Sequence, residues 1–576
     1  MNRRNFFEKS LLVAGGFMIA PMYISCNNDD DMDISIPDLS TDNFFEGVAS
    51  FDPTDSKIII WTRFTPNTGS SNITINWQIA LDQNFDDVLR SGEFVTGADR
   101  DYTVAIDVQE LPSNSKFYYR FFELETQTTS VIGETITLPA VGDTVTDVKL
   151  AVCSCANFAA GLFNVYGAMA NSEADVIVHL GDYIYEYGEG EYGTNENTVA
   201  LDRVHKPANE IISLTDYRAR YKQYRSDTQL QLAHQKKPFI CVWDDHEVTN
   251  DAYKDGAENH QDSEGSYEVR KQTAIQVYSE FLPLRSTDPS KIYRSFDFGS
   301  VLSLHMLDTR IIGRDKQLSY DDFFSPTSGL DAVAFQTALQ DPSRTLLGSE
   351  QLSWLSGAVS ASNANWQVLG QQVLMGKMFM PAELLILIGT LVAEIGALGS
   401  ATPETALAFQ TALTDLTAIK SRLLAGDPTL TPEEITRVQT VVPYNLDAWD
   451  GYFVEREQLF AMLGGKKTVC LAGDTHNAWY SELKDATGKE IGVEFATSSV
   501  SSPGFEGFLG VDANQAAGFQ QALEILIDDL QYMDATQRGF LQVTFTPSSS
   551  QAQWNFINTI AAENYTVTVG ETVSYS

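Results

Sequence analysis

Five short stretches concentrate side chains that bind cations or move protons: "SCANF" (154–158), "GDYIY" (181–185), "WDDHE" (243–247), "LDTR" (307–310) and "GDTHN" (473–477). Between them they carry a thiol (Cys155), two phenols (Tyr185 among them), two imidazoles (His246, His476), six carboxylates (Asp182, Asp244, Asp245, Glu247, Asp308, Asp474) and a guanidinium (Arg310). These are the donor types that ligate metal ions and that exchange protons with a reacting oxygen. Taken singly, each stretch is weak evidence: "GD" after a strand is common, and a histidine after a strand more often serves packing than ligation. The recurrence is what counts. With only seven histidines in 576 residues, the acidic knot "VWDDHEVTND" (242–251) around His246 asks for a chemical reason.

Each stretch ends an apolar run: "VKLAVCSCANF", "ADVIVHLGDYIYEYG", "KPFICVWDDHE", "SVLSLHMLDTR" and "KTVCLAGDTHN". Such runs lack alternation, as strands covered on both faces do, and helical text such as "SLTDYRARYKQYRSDTQLQLAHQ" lies between some of them. Residues 147–576 therefore read as a layered α/β domain whose polar loops converge beyond the strand ends. Residues 44–140 alternate in short β-branched and aromatic runs between turns ("SKIIIWTRF", "NITINWQIAL", "SKFYYRFFEL"), the grammar of an all-β sandwich of fibronectin type III or immunoglobulin character. Residues 380–436 lack strand grammar. Phe409, Leu413, Leu416, Ile419 and Leu423, three and four apart, predict a helical pair inserted into the α/β domain. Its first run, 384–399, holds Glu394 and is too short to span a bilayer; packing on its own second helix is the expectation, with a lid, a wall beside the site or a membrane-facing surface as alternatives.

The formal charge of −39, from 77 acids against 38 bases, excludes a general binder of nucleic acid or anionic membrane, and 43% hydrophobic residues exclude a disordered chain. Residues 1–26, with Arg3 and Arg4 before a short apolar stretch, resemble a twin-arginine export signal, and Cys26 after Ser25 resembles a lipoprotein acylation site. Residues 27–43 follow as an acidic tether. This predicts export to the periplasm or the cell surface, with membrane contact only through a lipid on Cys26. The remaining cysteines lie in or beside apolar runs. A Cys153–Cys155 bridge would be badly strained, so buried thiols or a metal thiolate fit better.

In order, these loops resemble the calcineurin-like metallophosphoesterases, whose pattern is a metal ligand after the first strand, then GD, GNHE and GHxH. Cysteine stands here in place of DxH, aspartate in place of the asparagine of GNHE, and aspartate in place of the first histidine of GHxH. Those departures match the alkaline phosphatase D family, which shares the twin-arginine signal, a fibronectin-like N-terminal domain and "LDTR". The resemblance implies a layered metallophosphoesterase sandwich of β-sheets flanked by helices and an Fe3+ and Ca2+ centre, with one or two Ca2+. A thiolate and a phenolate suit ferric iron, and an oxygen-rich, negative second site suits calcium. It places Cys155, Asp182, Tyr185 and His476 around iron, with Asp182 bridging, and Asp245 and Asp474 on calcium. His246 becomes the candidate to protonate the leaving oxygen or to hydrogen-bond the phosphate, oriented by Glu247. Arg310 is a candidate to grip the phosphate, or else to pair with an acid such as Asp308. Asp244 is a further candidate calcium ligand, and Asn157, Asn250, Asp251, Asp308 and Asn477 are candidates for supporting or ligating roles. The activity implied is hydrolysis of phosphate esters by a metal-activated water, in an exported, monomeric enzyme that gathers phosphate. A specialist phosphodiesterase or phospholipase D-like enzyme, and a non-catalytic surface binding protein, are the alternatives.

Overall fold

The computed structural model describes residues 40–576 apart from 68–71, 326–328 and 507–512. The signal, Cys26 and most of the tether lie outside the described residues.

Two large sheets form the body. The first has nine strands in the spatial order Val567–Tyr575, Ser550–Ile557, Arg538–Phe545, Val148–Cys153, Val176–His179, Phe239–Cys241, Val48–Phe51, Ile58–Arg63, Thr103–Val108. Its centre, from Val148–Cys153 through Phe239–Cys241, is parallel. The second has seven, in the order Arg294–Phe298, Leu302–Met306, Trp366–Gly370, Lys467–Ala472, Glu490–Ala496, Ala478–Lys484, Leu530–Asp534, and is parallel from Leu302–Met306 to Glu490–Ala496.

The apolar runs have no polar phase because both faces of these strands are covered. Along Lys467–Ala472, Val469 and Leu471 join the core shared with the first sheet, whereas Cys470 and Ala472 join the core formed with the helices. Trp366 and Trp554 staple the sheets, their indole nitrogens donating to Thr546 O at 2.7 Å and Ala496 O at 2.9 Å. Cys153, Cys155, Cys241 and Cys470 are buried and unpaired.

The N-terminal all-β segment adds a five-stranded sheet built on Val88–Gly97, Asn72–Ala80 and Lys116–Glu123. It is not a free-standing bead. Phe51 pairs in parallel with Phe239, so the large sheet runs on into this segment. Val48, Ile58 and Ile60 face the small sandwich core, while Ala49, Phe51, Ile59 and Trp61 on the same strands face the main core. The alternation of the sequence here serves two different cores.

The insertion hangs from a ribbon in which Phe379–Pro381 pairs antiparallel with Val441–Pro443. It holds three helices, Ala382–Leu398, Pro403–Leu424 and Pro432–Gln439, where the sequence reading expects two. The third begins at a capping box, Thr431 with Glu434, and a proline in its first turn. Phe409, Leu413, Leu416 and Ile419 are buried. Glu394 ties the first two helices, accepting from Thr402 N and Thr405 Oγ1, each at 2.7 Å. Among the described residues no helix is long and apolar enough to cross a membrane.

Candidate active site

The polar loops after the parallel strands of both sheets meet at one edge and are tied to each other. Cys155 N donates to Gly181 O at 3.1 Å, Gly473 N to Gln372 O at 2.7 Å, and Gln372 Nε2 to Trp243 O at 2.7 Å. The chain turns sharply as it leaves each strand: Cys155, Asp182, Asp474 and His476 have φ of 62°, 55°, 64° and 64°. Non-glycine residues seldom adopt this region, and each such residue costs about 1–3 kcal/mol. The strain aims four ligand-type side chains into one cleft. Gly181, in the "GD" pair, is glycine because a Cβ there would lie 2.4 Å from Asp244 N.

Three groups of donor atoms, each within 4.8 Å of one another, fill the cleft: Cys155, Asp182 and His476; Asp182, Asp245 and His246; Asp244, Asp245 and Asp474. Asp182 belongs to the first two and Asp245 to the last two. The result is one continuous tract of donors, soft at one end and all carboxylate at the other. Tyr185 joins the soft end, its hydroxyl donating to Asp182 Oδ2 at 2.9 Å and lying 3.3 Å from His476 Nε2. Asp182 Oδ1 and Asp244 Oδ2 are buried and make no hydrogen bond. A buried carboxylate oxygen without a partner is costly. A cation in the tract would supply what these oxygens lack.

Electrostatics point the same way. Burial, with neighbouring acids adding to it, pushes Cys155, Asp182 and Tyr185 well above their ordinary values. Burial also raises Asp244 against the pull of Arg310, and moves Asp474 up to about 6. Against its burial, Asp245 is held down to about 2 by Arg310 and His246. His476 is kept neutral by burial, at about 3, as a ligand imidazole must be. A set of acids this crowded ionises together only around positive charge.

Two expectations for this site need correction, and a third is narrowed. Glu247 does not orient His246: its oxygens accept from the backbone N–H of Asp182, Tyr183 and Asp244 at 3.1, 2.6 and 2.8 Å, locking two loops together. Asp308 does not face the cleft and does not pair with the Arg310 side chain. It accepts from Arg310 N, Ile311 N and Trp243 Nε1, shaping the "LDTR" turn. Arg310 takes the acid-pairing alternative, with partners other than Asp308: its guanidinium binds Asp244, Asp474 at 2.7 Å and Asp447 at 2.7 Å.

The supporting candidates are mostly structural. Asn157 caps the short helix Phe158–Ala160 through Ala159 N and Ala160 N. Asn477 bridges Thr475 O and Phe505 N. Asn250 donates from its backbone to Glu186, and Asp251 N donates to Asp245 Oδ2 at 2.6 Å. Glu186, which lies outside the motifs, is the partner of His246. It accepts from His246 Nδ1 at 2.7 Å and from Asn250 N, Asn259 Nδ2 and Thr249 Oγ1, and these partners hold it down to about 2 despite complete burial. Its signal was present, an acid inside the aromatic run after "GDYIY". Asp447, in the segment that returns from the insertion, had none.

The chain matches the family model of the PhoD-like phosphatases over residues 150–554 and that of the PhoD-like phosphatase N-terminal domain over residues 32–139. It is similar to alkaline phosphatase D of Bacillus subtilis (strain 168), at 30% identity over 577 residues, 96% of this chain and 85% of that protein. The solved structure of PhoD superposes with a TM-score of 0.72 at 29% identity, over 94% of this chain and 91% of the other. The chain belongs to the PhoD-like phosphatase family and is a phosphoric ester hydrolase.

Proposed function

We propose that this chain is an exported alkaline phosphatase and phosphodiesterase that works with iron and calcium and serves to gather phosphate. The observation that carries the metal reading is the donor tract, graded from a thiol and a phenol to carboxylates alone and sharing Asp182 and Asp245 between neighbouring groups. Cys155, Asp182, Tyr185 and His476 would hold iron, because anionic sulfur and phenolate donors suit a ferric ion. Asp245, Asp474 and Asp244 would hold calcium, which prefers hard oxygens. When bound, the two ions supply an activated water and neutralise charge on the phosphoryl oxygens.

The protein's own groups do the rest. His246 directs Nδ1 at the Glu186 carboxylate, which fixes the ring and leaves Nε2 to hold a proton for the leaving oxygen. Glu186 and its four donors form a rigid base for that proton. Arg310 spaces Asp244, Asp447 and Asp474 and offsets part of their charge, which makes it a positioning residue here. Gln372 and Glu247 hold the loops to each other, so the geometry is set before substrate arrives.

The test is purified protein supplied with iron and calcium, assayed on p-nitrophenyl phosphate and its bis-ester at alkaline pH, with metal content measured on the same samples. Wild type should cleave at least one ester, and Asp182→Ala should lose about 10³-fold or more of the rate together with bound metal. A wild type inactive on both, or an Asp182→Ala enzyme that keeps its metal and rate, removes the reading. Export rests on Arg3, Arg4 and Cys26. Cys26→Ser should move the protein from the membrane fraction to the soluble periplasm or medium.

A further inference from the structure

We propose that Tyr187 and Tyr192 form a preset aromatic wall on the leaving-group side of the cleft, selecting phosphate esters whose leaving oxygen is attached directly to a flat aryl group. This rests on the reading of His246 as the residue that serves the leaving oxygen. His246 lies between two tyrosine rings, its centroid 4.2 Å from that of Tyr185 and 5.5 Å from that of Tyr187. Tyr192 extends the surface, 5.4 Å from Tyr187 and stacked 6.3 Å from His476, with its hydroxyl 3.2 Å from His476 Nδ1.

The two sides of this cluster differ in exposure. Tyr185, Asp182 and His246 are buried, whereas Tyr187 and Tyr192 are half-buried, so these two rings are what an incoming molecule meets. An ester oxygen within hydrogen-bond reach of His246 carries its substituent to within a ring's width of Tyr187. An aryl substituent stacks there, an alkyl chain presents no π face, and a nucleobase held beyond a sugar reaches past the wall.

The wall is fixed before binding. Gly188 N donates to Glu191 Oε2 at 2.7 Å and Glu189 N to Ala208 O at 2.8 Å. Asn195 and Thr198 reach back to Ala160 O and Ala159 O, each at 2.8 Å, and Arg203 joins Phe158 O to Asp227. Gly193, at φ 88°, lies so close to Asn157 that a Cβ would meet its side chain at 2.4 Å. A surface that does not have to order on binding keeps more of its stacking energy as affinity.

The experiment compares kcat/KM for p-nitrophenyl phosphate and glycerol 2-phosphate on metal-loaded wild type, Tyr187→Leu and Tyr187→Phe. Binding of phenylphosphonate and methylphosphonate is measured by calorimetry on the same proteins. The aryl-to-alkyl ratio should fall about 2- to 10-fold in Tyr187→Leu and hold in Tyr187→Phe, with phenylphosphonate affinity relative to methylphosphonate changing in parallel. An unchanged ratio in Tyr187→Leu, or an equal fall in Tyr187→Phe, overturns the wall. Tyr187→Met reads the same ratio should the leucine variant not fold. A wild type that cleaves neither monoester leaves the phosphatase reading to the bis-ester assay, and the two phosphonate affinities then decide the wall alone.

Discussion

Cys155, Asp182, Asp474 and His476 all pay in backbone strain for pointing into the cleft, and the acids among them add the cost of burial. Such residues persist only where their surroundings over-determine them, and the Glu247 carboxylate, bonded to three backbone N–H groups, is one such surrounding. Glu186 reaches the reaction through His246, while its bonds to Thr249, Asn250 and Asn259 hold the loop. Glu186→Gln should therefore lower kcat by about 10- to 100-fold, with the larger loss on esters of poor leaving groups and little change in KM; an equal loss across leaving groups would mark the role as structural. His179 supplies a pH test away from the reaction. It accepts from Gly181 N, its Nε2 lies 2.7 Å from the Tyr166 hydroxyl, and burial lowers it to about 3. Between pH 6.5 and 3 the unfolded chain binds a proton that the folded chain refuses, so stability falls on acidification by about 1.4 kcal/mol per unit through this group. In urea unfolding, the advantage of wild type over His179→Gln should shrink by about 2.5 kcal/mol between pH 7 and pH 4.5.

Among the elements, the strands do what their apolar runs foretold, since a run without alternation must be covered twice. The helices of the insertion were legible from their spacing at Phe409, Leu413, Leu416 and Ile419, but the Pro403–Leu424 helix also packs beyond its own hairpin. The Phe409 ring lies tilted, 6.2 Å from that of Phe519 of the helix Ala513–Leu526, and Phe519 lies 5.5 Å from Phe505, whose backbone N–H binds Asn477 beside the cleft. Leu416, fully buried in that core, should cost about 2–5 kcal/mol when truncated to alanine, read as a shift in the urea midpoint at constant slope. If the insertion were a loosely attached lid, the shift would be absent. Glu394 was legible as an oddity in an apolar run; its work as a tie to Thr402 and Thr405 depends on a helical turn that brings those three residues together.

At the scale of the whole molecule, the N-terminal segment and the α/β body share a sheet, and buried polar ties cross between them. Asp52 accepts from Arg294 at 2.6 and 2.8 Å and from Arg285 N at 2.9 Å, while Trp61 Nε1 donates to Glu280 O at 2.8 Å. Calorimetry should show one cooperative transition for both parts, and Asp52→Ala, which leaves Arg294 without its carboxylate, should lower stability by about 3–5 kcal/mol without splitting it. Two separate transitions in wild type would show that the shared sheet does not couple them. The chain's text by itself determined the strand-loop succession, the α/β class, the all-β segment and the donor types, because burial on both strand faces and sharp polar stops leave marks in local composition. Only the tertiary structure decided which acids are within reach of one another. That Asp447 and Asp244 share Arg310, that Glu186 rather than Glu247 holds His246, and that a β-sandwich continues a catalytic sheet are matters of distance between residues far apart in the chain, and local pattern carries no record of such distances.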